Sequence, residues 1–138
     1  LTLIKEIEKI ASKFNPDIVY THHTSDLNID HQIISTATLT AFRPTIKKKH
    51  TEIRFFETPS STDYTSFKID PIFKPNLYID ISKFWSKKHL ALLAYKQEIM
   101  KYPSSRSLKG IKNLAEYRGN SVGLKLAEAF EVVRKVVS

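Results

Sequence analysis

The sequence predicts a layered α/β domain, on three observations: short apolar and β-branched runs, amphipathic segments with helical spacing, and the alternation of the two along the chain. Strands joined through helices in this way build a parallel or mixed sheet, and ligands of such sheets sit beyond the carboxyl ends of the strands. The 138 residues fit a single domain, residues 1–138, and 41% hydrophobic with 26% charged residues is a composition that buries a core.

The elements follow in order. Leu3, Ile4, Ile7, Ile10, Ala11 and Phe14 recur at helical spacing opposite lysines and glutamates, and Asn15-Pro16 stops the pattern, so 1–14 is expected as an amphipathic helix. DIVYT, from Asp17 to Thr21, suits a short buried strand. Beyond a polar stretch, HQIISTATLTAF (31–42) places Ile33, Ile34, Ala37 and Ala41 on one helical face, with Asn28 and Asp30 as candidate caps and Pro44 beyond its end. TEIRFFE (51–57) reads as a second strand, PSSTDYTSF as a loop, and FKPNLYIDI (73–81) as a third extended segment interrupted by Pro75. Helices are expected over 82–100, with Trp85, Leu90, Leu93 and Ile99 facing the core, over 106–117 with Gly119 as its C-terminal cap, and over 121–137. Arg118 and Glu128 are spaced to tie the loop at Gly119 to the last helix by an ion pair.

Composition narrows the function classes. The absence of cysteine excludes disulfides and thiolate metal sites, leaves imidazole nitrogens and carboxylate oxygens as metal ligands, and suits a reducing, cytoplasmic location. The sequence has no apolar run of about eighteen residues and no signal-peptide pattern, so no membrane span is expected. A net charge of +8 permits contact with phosphates, and a basic nucleic-acid-binding module is the alternative reading. Against it, the basic residues after position 82 are interspersed with Glu98, Glu116, Glu128 and Glu131 and no reader motif appears, so no nucleic-acid partner is expected. The run Lys47-Lys48-Lys49-His50 reads as a solvated charge run or as a contact for a substrate phosphate.

The chemistry concentrates in YTHHTSDLNIDH, residues 20–31, directly after the first predicted strand. Hydrolytic zinc sites use about three His, Asp or Glu ligands with one position open to water. His22, His23, Asp26 and His31 are candidate ligands of that type, and Asp30 beside His31 is a candidate for fixing an imidazole tautomer. A turn-rich loop that caps a helix has the same composition without any metal, and no ligand motif of fixed spacing is present.

From residue 16 onward the chain carries, in order, DIVYTHH, DLNIDHQ, RFFETPSSTDYTSF, FKPNLYIDIS, AYKQEI, RSLKGIKNLAEYRG and VGLKLAEAF. This ordered set resembles the PIG-L or LmbE-like family of metal-dependent N-acetylglucosaminyl deacetylases. The resemblance implies a Rossmann-like three-layer α/β/α domain with a mostly parallel sheet. It also implies removal of an acetyl group from an N-acetylated amino sugar by water activated on zinc or another divalent ion. By the same resemblance His31 matches a metal ligand and Asp30 its orienting partner. Asn28 stands where many members carry a histidine that steadies the oxyanion. An amide donates a hydrogen bond to an oxyanion but does not shuttle a proton, which leaves His23 or His22 for that part. Asp26, Arg54 and Glu57 are the candidate substrate contacts, the last two together with the PSSTD loop.

The HPDDE-type motif of the family, which supplies a His and an Asp ligand and a neighbouring Asp as general base, has no counterpart in these residues, nor has the strand before it. The chain also opens inside a periodic segment, LTLIKEIEKIASKF, without an initiator methionine. It is therefore expected to be the C-terminal portion of a deacetylase domain, inactive alone, with its zinc site completed by the N-terminal part. A relative that only binds sugar is the other alternative.

Overall fold

The computed structural model describes residues 2–45, 49–65 and 71–137. Among the described residues there are four α-helices and four strands, in the order α1 (Thr2–Phe14), β1 (Ile18–His22), α2 (Ile29–Ala41), β2 (Glu52–Phe56), β3 (Leu77–Asp80), α3 (Trp85–Ala94), α4 (Leu108–Asn120) and β4 (Ala127–Arg134). The strands form one sheet in the order β1-β2-β4-β3. β1 and β2 run parallel, Ile18 opposite Glu52 through His22 opposite Phe56, with α2 in the crossover between them. β4 lies antiparallel to β2, with Phe56 opposite Phe130. The sheet is thus mixed, which corrects the expectation of a mostly parallel one.

The change comes from the C-terminal segment, where the expected helix over 121–137 is replaced by β4. Ala127 and Ala129 are buried on either side of a half-buried Glu128, and Val132 and Val133 are β-branched. Pairing with β2 decides between a helical and an extended reading that local propensity leaves close.

The chain divides into two compact units, residues 1–74 with 130–138, and residues 75–129. In the first, α1 packs on α2 and α2 packs on β1. α1 stops at Asn15, which adopts φ 44°, a left-handed value asparagine tolerates, and Pro16 follows it. α2 starts as expected at Asn28, whose side chain accepts from the Asp30 N–H. Asp30 itself lies within the first turn of α2. The buried side of α2 is built from small residues, Ser35, Ala37, Thr38 and Ala41, while Ile33 is 51% exposed, contrary to its expected place on the core face. Thr38 Oγ1 satisfies itself on the Ile34 carbonyl at 2.7 Å, so a polar group on this side carries little desolvation cost. Small side chains here let the helix come close to β1.

In the second unit Ile81, Ala115 and Leu126 form a core against which Trp85 packs. The helix expected over 82–100 ends at Ala94, and Leu90 and Leu93 are exposed rather than core, since α3 has no buried residue. Gly119 does not cap α4 but lies within it. A Cβ there would meet the Leu124 carbonyl oxygen at 2.8 Å and the Leu126 nitrogen at 2.9 Å, so the returning chain rests on a bare backbone. The left-handed position is taken instead by Gly123, at φ 76°. Glu128, expected opposite Arg118, accepts from Lys88 Nζ at 2.5 Å. In the first unit, Lys49 of the basic run pairs with Asp17 at 2.5 Å, while Lys47 and Lys48 lie outside the described residues, as do Ser66 and Phe67 of the PSSTDYTSF stretch. Among the described residues no helix is long and apolar enough to cross a membrane.

Candidate active site

The YTHHTSDLNIDH stretch spans the end of β1, a short turn and the start of α2, and the turn folds back on itself. The Asp26 N–H donates to the His23 carbonyl at 3.2 Å, and Gln32 Nε2 donates to the Asp26 carbonyl. These bonds bring the Asp26 side chain under the head of α2. Its Oδ2 lies 2.8 Å from Nδ1 of His31, and Asp26 is 0% exposed. A carboxylate accepts, so Nδ1 carries the hydrogen and the lone pair of the neutral ring resides on Nε2. Ser61 Oγ lies 3.4 Å from the same Nδ1 and accepts from the Asn28 N–H at 3.4 Å, so the PSSTD loop docks on this turn. The ring of His31 is about one-fifth exposed, 20%, against the buried carboxylate behind it.

His22 adds a second imidazole. Its ring stacks on that of His31 with centroids 3.9 Å apart and planes 19° apart, and meets Phe56 at 4.6 Å. Burial holds His22 below the ordinary 6.5, the neighbouring His31 adds to this, and Asp26 opposes it. Its Nδ1 is buried without a partner. His23 points elsewhere, with ring contacts to Phe55 and Phe73 at 5.4 and 5.6 Å. The Ser25 N–H donates to its Nδ1 at 3.2 Å, which leaves the hydrogen on Nε2, 3.7 Å from Glu131. Burial again lowers its pKa, with Glu131 and Asp26 pulling the other way.

The structure gathers some of the expected residues and separates others. His31 and Asp26 are joined, but Asp26, expected at the substrate, is sealed beneath the histidine and takes the orienting part that the resemblance gives to Asp30. Asp30 is exposed, one residue too early on α2, and its backbone N–H donates to Asn28 Oδ1 at 2.9 Å. Asn28 is exposed, its Oδ1 is committed to the cap, and the group it can offer a carbonyl oxygen is its Nδ2–H. His23, expected to transfer protons, is 3% exposed, so direct contact with a substrate is closed to it. Arg54 lies two residues back along β2, its Nε 2.5 Å from Glu52 and one terminal nitrogen 2.7 Å from the Tyr20 hydroxyl. That network commits the guanidinium to Glu52 and Tyr20. Burial works to raise the Glu52 carboxyl, and Arg54 and Lys135 outweigh it and hold it below 4.5. Glu57 is half-buried just past the end of β2. Ser61 and the stacked position of His22 escape the sequence reading, because neither a loop serine nor a ring stack across a turn leaves a periodic signal.

Two observations bear on a metal. The orientation of His31, with Nδ1 tied to a buried carboxylate and Nε2 left basic, is the arrangement that metal-binding histidines use, and Asp26 Oδ1 is buried with no partner. Among the described residues no group of three or more His, Asp or Glu side chains is placed to hold an ion. Among the described residues, then, His31 Nε2 is a single imidazole donor, oriented as a metal ligand would be, with no ligand set around it. A groove of about 400 Å³ between α1 and α2, lined by Leu3, Ile4, Ile33 and Ala37 together with the polar Gln32 and Thr36, holds none of the candidate residues.

No family model matches the chain, and no curated protein does so either. Solved structures do. A conserved protein from Thermus thermophilus superposes with a TM-score of 0.73 at 19% identity, over 99% of this chain and 60% of that one. GalB, the 4-carboxy-2-hydroxymuconate hydratase from Pseudomonas putida, gives 0.73 at 18% identity, over 99% and 60%. The N,N'-diacetylchitobiose deacetylase from Pyrococcus horikoshii gives 0.68 at 16% identity, over 96% and 51%. The chain spans between half and three-fifths of the length of these structures, and over that span it has their fold, an α/β arrangement.

Proposed function

We propose that the chain is the C-terminal portion of a metal-dependent deacetylase domain that removes an acetyl group from an N-acetylated amino sugar of the N-acetylglucosamine type. The observation that carries this reading is the Asp26–His31 pair at the carboxyl end of β1, inside the DLNIDH sequence that resembles the deacetylase family. The fold is shared with a hydratase as well as a deacetylase, so it does not choose between the two reactions; the likeness of DLNIDH to the deacetylase family is what supports deacetylation here.

In this reading His31 Nε2 is one ligand of a zinc or similar divalent ion, and the remaining ligands and the general base come from the N-terminal part of the domain. Such an ion supplies a Lewis acid and a water of lowered pKa. Asp26 keeps His31 in the Nδ1–H tautomer and raises the basicity of Nε2. Asn28 Nδ2–H is the donor offered to the oxygen of the acetamide as it gains negative charge. Asp30, exposed beside it, is available to sugar hydroxyls. Among the described residues no complete ligand set is brought together, so in this reading residues 1–138 by themselves are expected to be inactive.

The test is appearance of free amine from a panel of N-acetylglucosamine glycosides incubated with the natural-length protein. Amine that forms, stops on chelation and returns with zinc supports the reading. Absence of amine across the panel, or release indifferent to chelator, contradicts it.

A further inference from the structure

We propose that His22 is a positioning residue for His31, holding the plane of its imidazole by ring stacking while Asp26 sets its tautomer. This rests on the reading of His31 Nε2 as a ligand. A hydrogen bond at Nδ1 fixes one atom of the ring and leaves rotation about that contact, which swings the lone pair of Nε2. A ligand site works only when that lone pair is held within about 10–20° of its direction. The 3.9 Å face-to-face contact at 19° closes the remaining freedom.

The stack is built in from both sides. His31 and Ser35 are one helical turn apart on α2 and present the same face to the end of β1. The ring of the first lies on the His22 ring, and the hydroxyl of the second, on a residue 0% exposed, donates to the His22 carbonyl at 2.7 Å. Phe56, directly opposite His22 in the β1–β2 register, touches the His22 ring at 4.6 Å and limits its retreat. His22 is thus gripped at backbone and ring. What it offers His31 is a flat, rigid surface, and its buried Nδ1 makes no bond. A planar ring without nitrogen should serve equally.

The experiment is long-range proton–nitrogen spectroscopy of the histidine rings in the ¹⁵N-labelled 138-residue chain, with His22→Phe and His22→Ala beside the wild type. In the wild type we expect cross-relaxation between the His22 and His31 rings, and the pattern of a single Nδ1–H tautomer at His31. His22→Phe keeps that pattern. His22→Ala, with backbone amide shifts elsewhere unchanged, shows averaged ring signals, and in the natural-length protein weakens zinc binding by about 10–100-fold, where His22→Phe stays within about threefold. A wild type without ring-to-ring cross-relaxation overturns the proposal without recourse to any variant, as does a folded His22→Phe that loses the His31 pattern or a His22→Ala that keeps it. Zinc binding indifferent to His31→Ala, with the ring signatures intact, would instead remove the ligand reading and leave the stack standing.

Discussion

Asp26 and Asp30 flank the same helix start, and only Asp26 reaches the imidazole of His31. Sequence adjacency favours Asp30; the turn from His23 to Asp26 and the helical rise after Asn28 favour Asp26, because one residue of offset on a helix rotates a side chain by about 100°. If His31 ligates zinc as proposed, Asp26→Ala should cost the natural-length protein about 10–100-fold in zinc affinity, and Asp30→Ala much less, measured by competition with a chromophoric chelator. Equal losses would restore Asp30 to the orienting role. The half-buried His22 and the buried His23 also make stability depend on pH. His22 and His23 titrate below the ordinary 6.5 because burial disfavours their charged forms, so under that pH the unfolded chain binds protons that the folded chain refuses. Stability is full above 6.5 and falls on acidification through the window beneath it. The urea midpoint should drop between about pH 7.5 and 5.5, and His23→Phe should flatten that slope; a midpoint that rises on acidification contradicts it.

At the level of elements, α1, β1, α2 and β2 were legible because each carries its own period and its own stop, Asn15-Pro16 for α1 and Asn28 for the start of α2. Asn28→Ala removes the side-chain acceptor for the Asp30 N–H and should destabilise the chain by about 1 kcal/mol in urea unfolding, with Asn28→Ser largely neutral. β4 was not legible, since AEAFEVVR satisfies a helical pattern as well as an extended one, and only its partner β2 settles the matter. The core face of α2 misled for a related reason: a helix pressed close to a strand prefers Ser35 and Thr38 over Ile33, and hydrophobic periodicity does not register close approach. Gly119 belongs to the same class. Replacing glycine by alanine inside a helix ordinarily gains about 1 kcal/mol, but here the new methyl would strike backbone at 2.8 and 2.9 Å, so Gly119→Ala should lower the melting temperature. A raised one would show that the returning chain has room to move.

For the molecule as a whole, the chemistry stops short at one corner. Residue types in YTHHTSDLNIDH suit a metal site or a helix-capping turn alike, and the fold backs one imidazole, His31, with a buried carboxylate, while His22 lends a ring surface and His23 a buried link to Glu131. Structures of the same fold are longer by the part that this chain does not span. The division of labour inside the twelve residues was beyond the reach of sequence, because it depends on which side of a four-residue turn each ring emerges. The most direct test of the central claim is zinc stoichiometry by equilibrium dialysis on three samples: the natural-length protein, its His31→Ala variant, and residues 1–138 alone. One equivalent in the first and none in the other two is the expected result; tight, stoichiometric zinc in the 138-residue chain, or zinc retained without His31, would contradict it.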